Sequence, residues 1–284
     1  MISSGGKRLR PAMVLAAARF GDYEFEKIKP IAVAVELIHT ATLVHDDIID
    51  DSPVRRGIPS IQAQLGKDVA VFIGDYIFCR VFELLASLED FEILKLSSKI
   101  LYKICEGEIK QREDLYNTNI TIKNYFYRIQ RKTALLFALS CQLGAIAANA
   151  PREVAKRLYQ YGIKIGTAFQ ITDDILDIIG DEKELGKPRG ADIREGVITL
   201  PAIYALKNAS ESKELRRILS TRNCTDAQVE RALEIIIKSG GVTLSQKIAK
   251  AYAEKAKRIV MNLPESNIKT LLMDVTELVY NRNN

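Results

Sequence analysis

Apolar residues recur at intervals of three and four along almost the whole of this chain, and nowhere does a sustained alternation of period two replace them. The first pattern lays apolar side chains along one face of a helix; the second is what a half-buried strand would need. The helical period runs through Ala12 to Arg19, Pro30 to Asp50, Val69 to Leu88, Ile93 to Leu115, Ile122 to Asn149, Arg152 to Ile179, Leu200 to Lys207, Asp226 to Lys238 and Val242 to Leu263. The breaks carry turn chemistry: Asp51-Ser52-Pro53, Pro151 and Ser239-Gly240-Gly241, with Thr225-Asp226 placed to cap the helix before the last of these. Short connections between long helices favour antiparallel neighbours, so the expectation is an all-α bundle, one domain spanning 1–284. The polar connection from Gly180 to Gly196 is long enough for a lid beside a site, although an ordinary solvated loop has the same composition.

Two acid clusters interrupt the apolar pattern. His45-Asp46-Asp47-Ile48-Ile49-Asp50-Asp51 closes one of the most apolar helices. Asp46 and Asp50 stand four residues apart and share a helical face, with Asp47 on its flank. Like charges at the C-terminal end of a helix repel each other and oppose the helix dipole. Such a cluster is either a solvated helix end or the ligand set of a hard divalent cation. The arrangement recurs in Gln170-Ile171-Thr172-Asp173-Asp174-Ile175-Leu176-Asp177, where Asp173 and Asp177 share a face and Asp174 flanks them. Two helices that each carry Asp-Asp-x-x-Asp can hold several Mg²⁺ ions between them. Mg²⁺ divides its coordination among waters, carboxylates and phosphate oxygens, so the natural guest is a diphosphate.

A diphosphate also needs cations, and the chain supplies them in groups. Gly5-Gly6-Lys7-Arg8-Leu9-Arg10-Pro11 sets three behind a glycine pair, Arg55-Arg56-Gly57 follows the first acid cluster, Lys132-Thr133 lies in a core helix, and Lys187 lies in the polar loop. Arginine brings a fork of donors and lysine a compact charge. Taken one at a time, each group has the composition of ordinary surface charge. His39, two turns before Asp46 on nearly the same face, is either a further phosphate donor or a satisfied buried histidine.

Composition removes other classes. Lys plus Arg total 41 against 36 acids, a net charge of +5 without a basic tract, so no nucleic-acid partner is expected. Two histidines and four dispersed cysteines make neither a zinc site nor a hydrolytic triad, and the lack of any Cys-x-x-Cys pair fits reduced thiols in the cytoplasm. No signal-peptide pattern follows the first basic residues, and no stable membrane span is expected. The uncharged stretch Thr133 to Ala150 is interrupted by Ser140, Gln142, Gly144 and Asn149, which suits a buried central helix.

Taken in order, Gly5 to Pro11, Asp46 to Gly57, Lys132-Thr133 and Phe169 to Asp177 resemble the successive motifs of the trans-type polyprenyl diphosphate synthases over essentially the whole chain. Phe20-Gly21-Asp22-Tyr23, Ala41 to Asp47 and Arg131 to Leu136 are most similar to the family's bacterial heptaprenyl branch, in its catalytic component. The resemblance implies an all-α isoprenoid-synthase helical bundle around a deep central cavity. It implies Mg²⁺, three ions with bound diphosphate, on Asp46, Asp50 and Asp173, with Asp47, Asp174 and Asp177 supporting the metal network and Lys132 completing the catalytic set. It assigns Lys7, Arg10, His39 and Arg56 to isopentenyl diphosphate, and Arg55, Lys132, Thr133, Gln170 and Lys187 to an allylic diphosphate such as farnesyl diphosphate. The implied assembly is a dimer, of two copies or with a small regulatory subunit.

In the family, bulky aromatics just before the first acid motif shorten the product. Ala41 and Thr42 are small, Ile38 and Val35 lie deeper, and Phe78 and Phe82 could form a floor, an arrangement expected to give a medium or long prenyl chain. A geranylgeranyl-type product is the alternative within the class. A terpene cyclase fits less well, because the second motif is again Asp-Asp-x-x-Asp, and a noncatalytic prenyl-binding subunit would not need both motifs. Two departures stand out. The helical segment that relatives carry ahead of Gly5-Gly6-Lys7 is expected to be missing, and Val197 replaces a lysine common after the Gly196 position.

Overall fold

The computed structural model describes residues 7–55, 57–181 and 188–280. In chain order it comprises α1 (Leu9–Ala18), α2 (Phe25–Ile49), a minimal hairpin of β1 (Val54–Arg55) and β2 (Ile58–Pro59), α3 (Ile61–Leu65), α4 (Lys67–Ala86), α5 (Phe91–Glu113), α6 (Ile122–Ile129), a π-helical turn (Gln130–Ala134), α7 (Leu135–Ala147), α8 (Arg152–Ile179), α9 (Ala191–Glu195), α10 (Leu200–Asn208), α11 (Ser212–Leu219), α12 (Asp226–Lys238), α13 (Gly241–Met261) and α14 (Asn267–Tyr280). The hairpin is the only sheet among the described residues, so the helical periodicity translates into an all-α fold.

The chain divides into two compact units. One is formed by Met1–Leu101, Leu136–Gly162 and Ile259–Leu271, the other by Tyr102–Leu135, Ile163–Arg258 and Leu272–Asn284.

In the first unit α2 packs against α1 and α4. Its buried face is the sequence stripe Ile28, Ile31, Val35, Ile38 and Ala41, each fully shielded from solvent. α2 starts at Phe25, one turn earlier than the apolar pattern from Pro30 suggests, and Pro30 lies inside it. Burial of Ile28 adds a turn of core contact that offsets the backbone bond Pro30 cannot make. By length and composition α2 could cross a membrane, yet half of its most apolar window is buried within the structure, as in a core helix. Gly144 on α7 lets that helix meet the backbone of α1 at Val14, where any Cβ would overlap the Val14 carbonyl.

The core of the second unit is drawn from α6, the C-terminal half of α8, and α9 to α13. Ile171, Ile175 and Ile178 supply the α8 contribution, interleaved with the aspartates of the second acid motif. Thr225 forms the expected capping box with Gln228, and α12 closes at Ser239 before Gly240 in a left-handed conformation.

The remaining differences from the periodicity are instructive. α3 and α9 are too short to show two full turns of pattern, α11 barely exceeds two, and α14 buries only a thin stripe of Leu272, Thr276 and Val279. The run expected to continue unbroken from Ile122 to Asn149 is instead α6 and α7 joined through the π turn. That turn contains Lys132 and Thr133.

Candidate active site

The first acid motif sits where α2 ends, beneath the hairpin. Asp47 is buried, with 1% of its surface exposed. Its Oδ1 accepts from both Nε (2.7 Å) and Nη2 of Arg55, while its Oδ2 is buried without a hydrogen-bond partner. Arg55 reaches it because the hairpin pairs Val54 with Pro59 and Arg55 with Ile58, folding the chain back over the helix end. Gln62 of α3 fastens this layer, donating from Nε2 to the Asp47 carbonyl (2.6 Å) and the Ser52 carbonyl (3.0 Å). Ser60 adds a hydroxyl bond to the same Ser52 carbonyl (2.7 Å). The Asp47 carbonyl, one of those a helix C-terminus leaves over, thus takes a bond from α3 beside the one from the Ser52 backbone (2.9 Å). Asp46 and Asp50 are only partly buried, one turn apart on the outward side of the same helix end.

His45, for which the sequence offers no role, packs over Gly74 of α4. Its Nε2 lies 3.5 Å from Asp75 Oδ1 and 3.4 Å from the Val71 carbonyl, and its ring lies 5.8 Å from that of Phe78. A side chain at Gly74 would overlap the imidazole. Along α2, Val35, Ile38 and Ala41 are fully buried, while His39 and Thr42 are half-buried, the Thr42 hydroxyl bonding the His39 carbonyl (2.9 Å). Phe78 is half-buried and Phe82 is 40% exposed. Lys7 is exposed, and the Arg10 guanidinium lies 4.7 Å over the Phe137 ring of α7. Arg8, at φ 46°, pairs with Glu36 of α2. Arg56 and Lys187 lie outside the described residues.

In the second unit the other motif again leaves its first acid partly exposed and buries its second, but it buries its third as well. Asp173 is partly exposed, whereas Asp174 and Asp177 are buried. Asp174 accepts from the Tyr125 phenol of α6 at Oδ2 (2.6 Å) and from Gln170 Nε2 at Oδ1 (2.9 Å). Gln170 Oε1 in turn accepts from the Thr133 hydroxyl (2.6 Å). Burial pushes the Asp174 carboxyl up to about 6, against the pull of its two donors and of the nearby Arg128 charge. Arg128, itself buried, donates to the Ile198 carbonyl (2.7 Å). Asp177 Oδ2 accepts from the backbone of Asp192 (3.1 Å) and its carbonyl from that of Gly190 (2.7 Å), tying the start of α9 to the end of α8.

The π turn is docked on α5 by two ion pairs either side of a glycine. Arg131 meets Glu106 at 3.0 Å and Lys132 meets Glu108 at 3.1 Å. Gly107 lies between them, where a Cβ would come within 2.5 Å of Arg131 Cβ. A π turn widens the helix by one residue and recurs at functional positions. Glu108 and Tyr125 are the residues that sequence reading misses. Neither stands in a local motif, and only the pairing of α5 and α6 with the π turn and α8 gives them partners.

Across both motifs the candidate metal ligands are carboxylates, the donor set of a hard cation such as Mg²⁺ rather than of zinc or copper. Among the described residues no three His, Cys, Asp or Glu side chains gather into one metal cluster of their own.

The comparisons agree with this architecture. The polyprenyl synthetase family profile matches residues 1–236. Component 2 of heptaprenyl diphosphate synthase from Geobacillus stearothermophilus is 44% identical over 276 residues, covering 97% of this chain and 85% of the relative. The crystal structure of heptaprenyl diphosphate synthase from Staphylococcus aureus superposes with a TM-score of 0.93 at 37% identity, over 99% of this chain and 89% of that one. A polyprenyl synthase from Caulobacter crescentus, complexed with calcium and isoprenyl diphosphate, gives 0.95 at 36% identity, over 100% of this chain and 87% of that one. The chain therefore belongs to the polyprenyl synthetase family. It is a prenyltransferase with the all-α fold of the polyprenyl synthases.

Proposed function

We propose that this chain adds isopentenyl diphosphate units, head to tail and in trans, to an allylic diphosphate primer such as farnesyl diphosphate, and that the product is heptaprenyl diphosphate. The observation that carries the reading is that each of two Asp-Asp-x-x-Asp helices leaves its first acid partly exposed and buries its second. Asp46, Asp50 and Asp173 are partly exposed, while Asp47, Asp174 and Asp177 are buried against protein donors. The heptaprenyl product is supported by the similarity to component 2 of the Geobacillus enzyme.

In this reading Asp46, Asp50 and Asp173 would hold three Mg²⁺ ions with the substrate diphosphate. The ions would supply the positive charge that takes up the negative charge developing on the leaving group. Asp47, Asp174 and Asp177 brace that arrangement from below. Lys132, Thr133, Gln170, Arg55 and Lys187 address the allylic diphosphate, with Lys132 neutralising its charge as the C–O bond breaks. Lys7, Arg10, His39 and Arg56 hold the diphosphate of isopentenyl diphosphate so that its double bond faces the allylic carbon. Attack by that bond on the allylic cation forms the new C–C bond. A proton then passes to the released diphosphate, leaving an allylic product ready for another round. The apolar wall of Val35, Ile38 and Ala41, with Thr42, Phe78 and Phe82, takes up the growing chain and keeps water from the cation.

The working enzyme is a cytoplasmic dimer, with a second copy or with the small regulatory subunit that the name component 2 of the Geobacillus relative suggests. All of 1–284 acts as one catalytic domain. The test is incubation of the purified chain with Mg²⁺, farnesyl diphosphate and isopentenyl diphosphate, with and without a candidate small subunit, followed by chain-length analysis. Heptaprenyl diphosphate is expected. A geranylgeranyl product would correct the chain length, and no condensation by folded protein in either arm would overturn the enzymatic reading.

A further inference from the structure

The second acid motif is connected to Thr133 by a chain of hydrogen bonds whose polarity is fixed from one end. A carboxylate only accepts, so the Gln170 side chain must turn its NH₂ toward Asp174 Oδ1 and its Oε1 toward Thr133. With Oε1 facing it, the Thr133 hydroxyl must be the donor of that contact. The order is Thr133 to Gln170 to Asp174, met from the opposite side by the Tyr125 phenol at Asp174 Oδ2.

Tyr125 is itself fully buried, on α6, the helix that runs into the π turn. Its ring is held edge-on by Phe126 and lies near the Arg128 guanidinium, so the hydroxyl has little freedom to leave Asp174. We infer that Tyr125 is the positioning residue of the allylic diphosphate site: by holding Asp174 it fixes the Gln170 amide and, through that amide, the Thr133 hydroxyl. This inference rests on the functional reading above, which places Thr133 and Gln170 at the allylic substrate.

The physical consequence is non-additivity. Removing the phenol proton leaves a buried carboxylate oxygen without its donor and lets Asp174 rotate, so the Gln170 amide is no longer held in one orientation. A variant that has already lost the Thr133 hydroxyl has nothing further to lose at the far end of the chain.

The test is calorimetric titration with farnesyl thiodiphosphate, an allylic analogue that ionises slowly, in the presence of Mg²⁺, run beside steady-state kinetics. Tyr125→Phe is expected to weaken analogue binding about tenfold, with the KM for isopentenyl diphosphate unchanged. The pair Tyr125→Phe with Thr133→Val is expected to bind more tightly than the product of the two single effects. Unchanged analogue affinity in Tyr125→Phe, or multiplying effects in the pair, would overturn the inference. Should Tyr125→Phe not fold, the polarity itself can be tested. Asp174→Asn leaves one acceptor oxygen for two donors, the Tyr125 phenol and the Gln170 amide, and should weaken analogue binding, and adding Gln170→Glu gives the new amide an acceptor and should regain it. No regain would overturn the inference. Failure of the unmodified chain to bind the analogue would instead overturn the functional reading, and this inference with it.

Discussion

Lys132 Nζ lies 3.1 Å from Glu108 Oε2, so a cation assigned to a substrate phosphate is held in the structure by an acid of α5. Both side chains are about three-quarters buried, which gives the pair more weight than a surface ion pair and makes its geometry dependent on both charges. Glu108→Gln is expected to lower kcat/KM for the allylic substrate about tenfold, an effect of roughly 1.4 kcal/mol, and to leave the KM for isopentenyl diphosphate unchanged. Initial rates with each substrate varied in turn would check this, and equal loss for both substrates would count against the assignment of Lys132 to the allylic diphosphate.

Arg55 serves Asp47 with two donors to one oxygen. Its loss leaves a carboxylate buried without compensation, so Arg55→Ala is expected to destabilise the fold by about 2–3 kcal/mol, below the usual cost for a fully buried pair because Arg55 is partly exposed. Arg55→Ala with Asp47→Asn should recover most of that loss. Urea denaturation of the two singles and the double would show it, and additive losses would mean that the two residues act independently.

Gly74 makes room for the His45 imidazole beside the first acid motif. Gly74→Ala overpacks this contact, with an expected cost of about 1–3 kcal/mol and reduced activity as Asp46 shifts with its neighbour. Combining it with His45→Ala removes the overlap and should return thermal stability toward the His45→Ala value. A double variant as unstable as the sum of the singles would place the strain elsewhere.

Burial raises the Asp174 carboxyl to about 6 in the fold, against 3.8 for a solvated aspartate. The folded state therefore binds this proton more tightly than the unfolded state. The sign follows: the contribution of Asp174 to stability is fully present below about pH 4, is lost as pH rises through about 6, and is constant above. Melting temperatures of the unliganded chain and of Asp174→Asn at pH 5 and pH 7 should show wild type gaining on the variant at the lower pH. A gap that does not change with pH would remove Asp174 as the titrating group.

Product length offers a fifth check. Ala41 is fully buried and Thr42 is half-buried on the same helix. Thr42→Phe is expected to shorten the product without loss of melting temperature, whereas Ala41→Phe should shorten it and also destabilise the fold, because the added ring has no solvent to enter. Chromatography of the prenyl alcohols would decide, and an unchanged distribution in both would remove these residues from the chain-length wall.

Much of this was legible in the sequence because it repeats with the helix. The period of three and four gave the long helices and the face of α2 that buries Ile31, Val35 and Ile38. The spacing Asp46 to Asp50 and Asp173 to Asp177 put each pair of acids on one face without any knowledge of neighbours. What escaped depends on other segments. Glu108 has no partner until α5 meets the π turn, and Tyr125 is one aromatic in an apolar helix until α8 brings Asp174 to its hydroxyl. Arg55 reads as a phosphate ligand by sequence, and only the fold-back of the hairpin turns it onto Asp47. The π turn left no trace in the periodicity, because it opens into Ala134 to Leu139, a run buried on every side that has no apolar stripe to displace.

That extra residue sets a rule about length rather than identity. Between Gln130 and Ala134 the helix carries one residue beyond an ordinary turn. Deleting Gln130 or Ala134 would let the helix close as an ordinary turn, with the segments on either side still in phase but the widened turn that carries Arg131 and Lys132 gone. Arg131 and Lys132 would then swing off Glu106 and Glu108 even if every side chain in the pairs were retained. A one-residue gap in this stretch is therefore expected to disturb the allylic site even with all six aspartates of the two motifs in place.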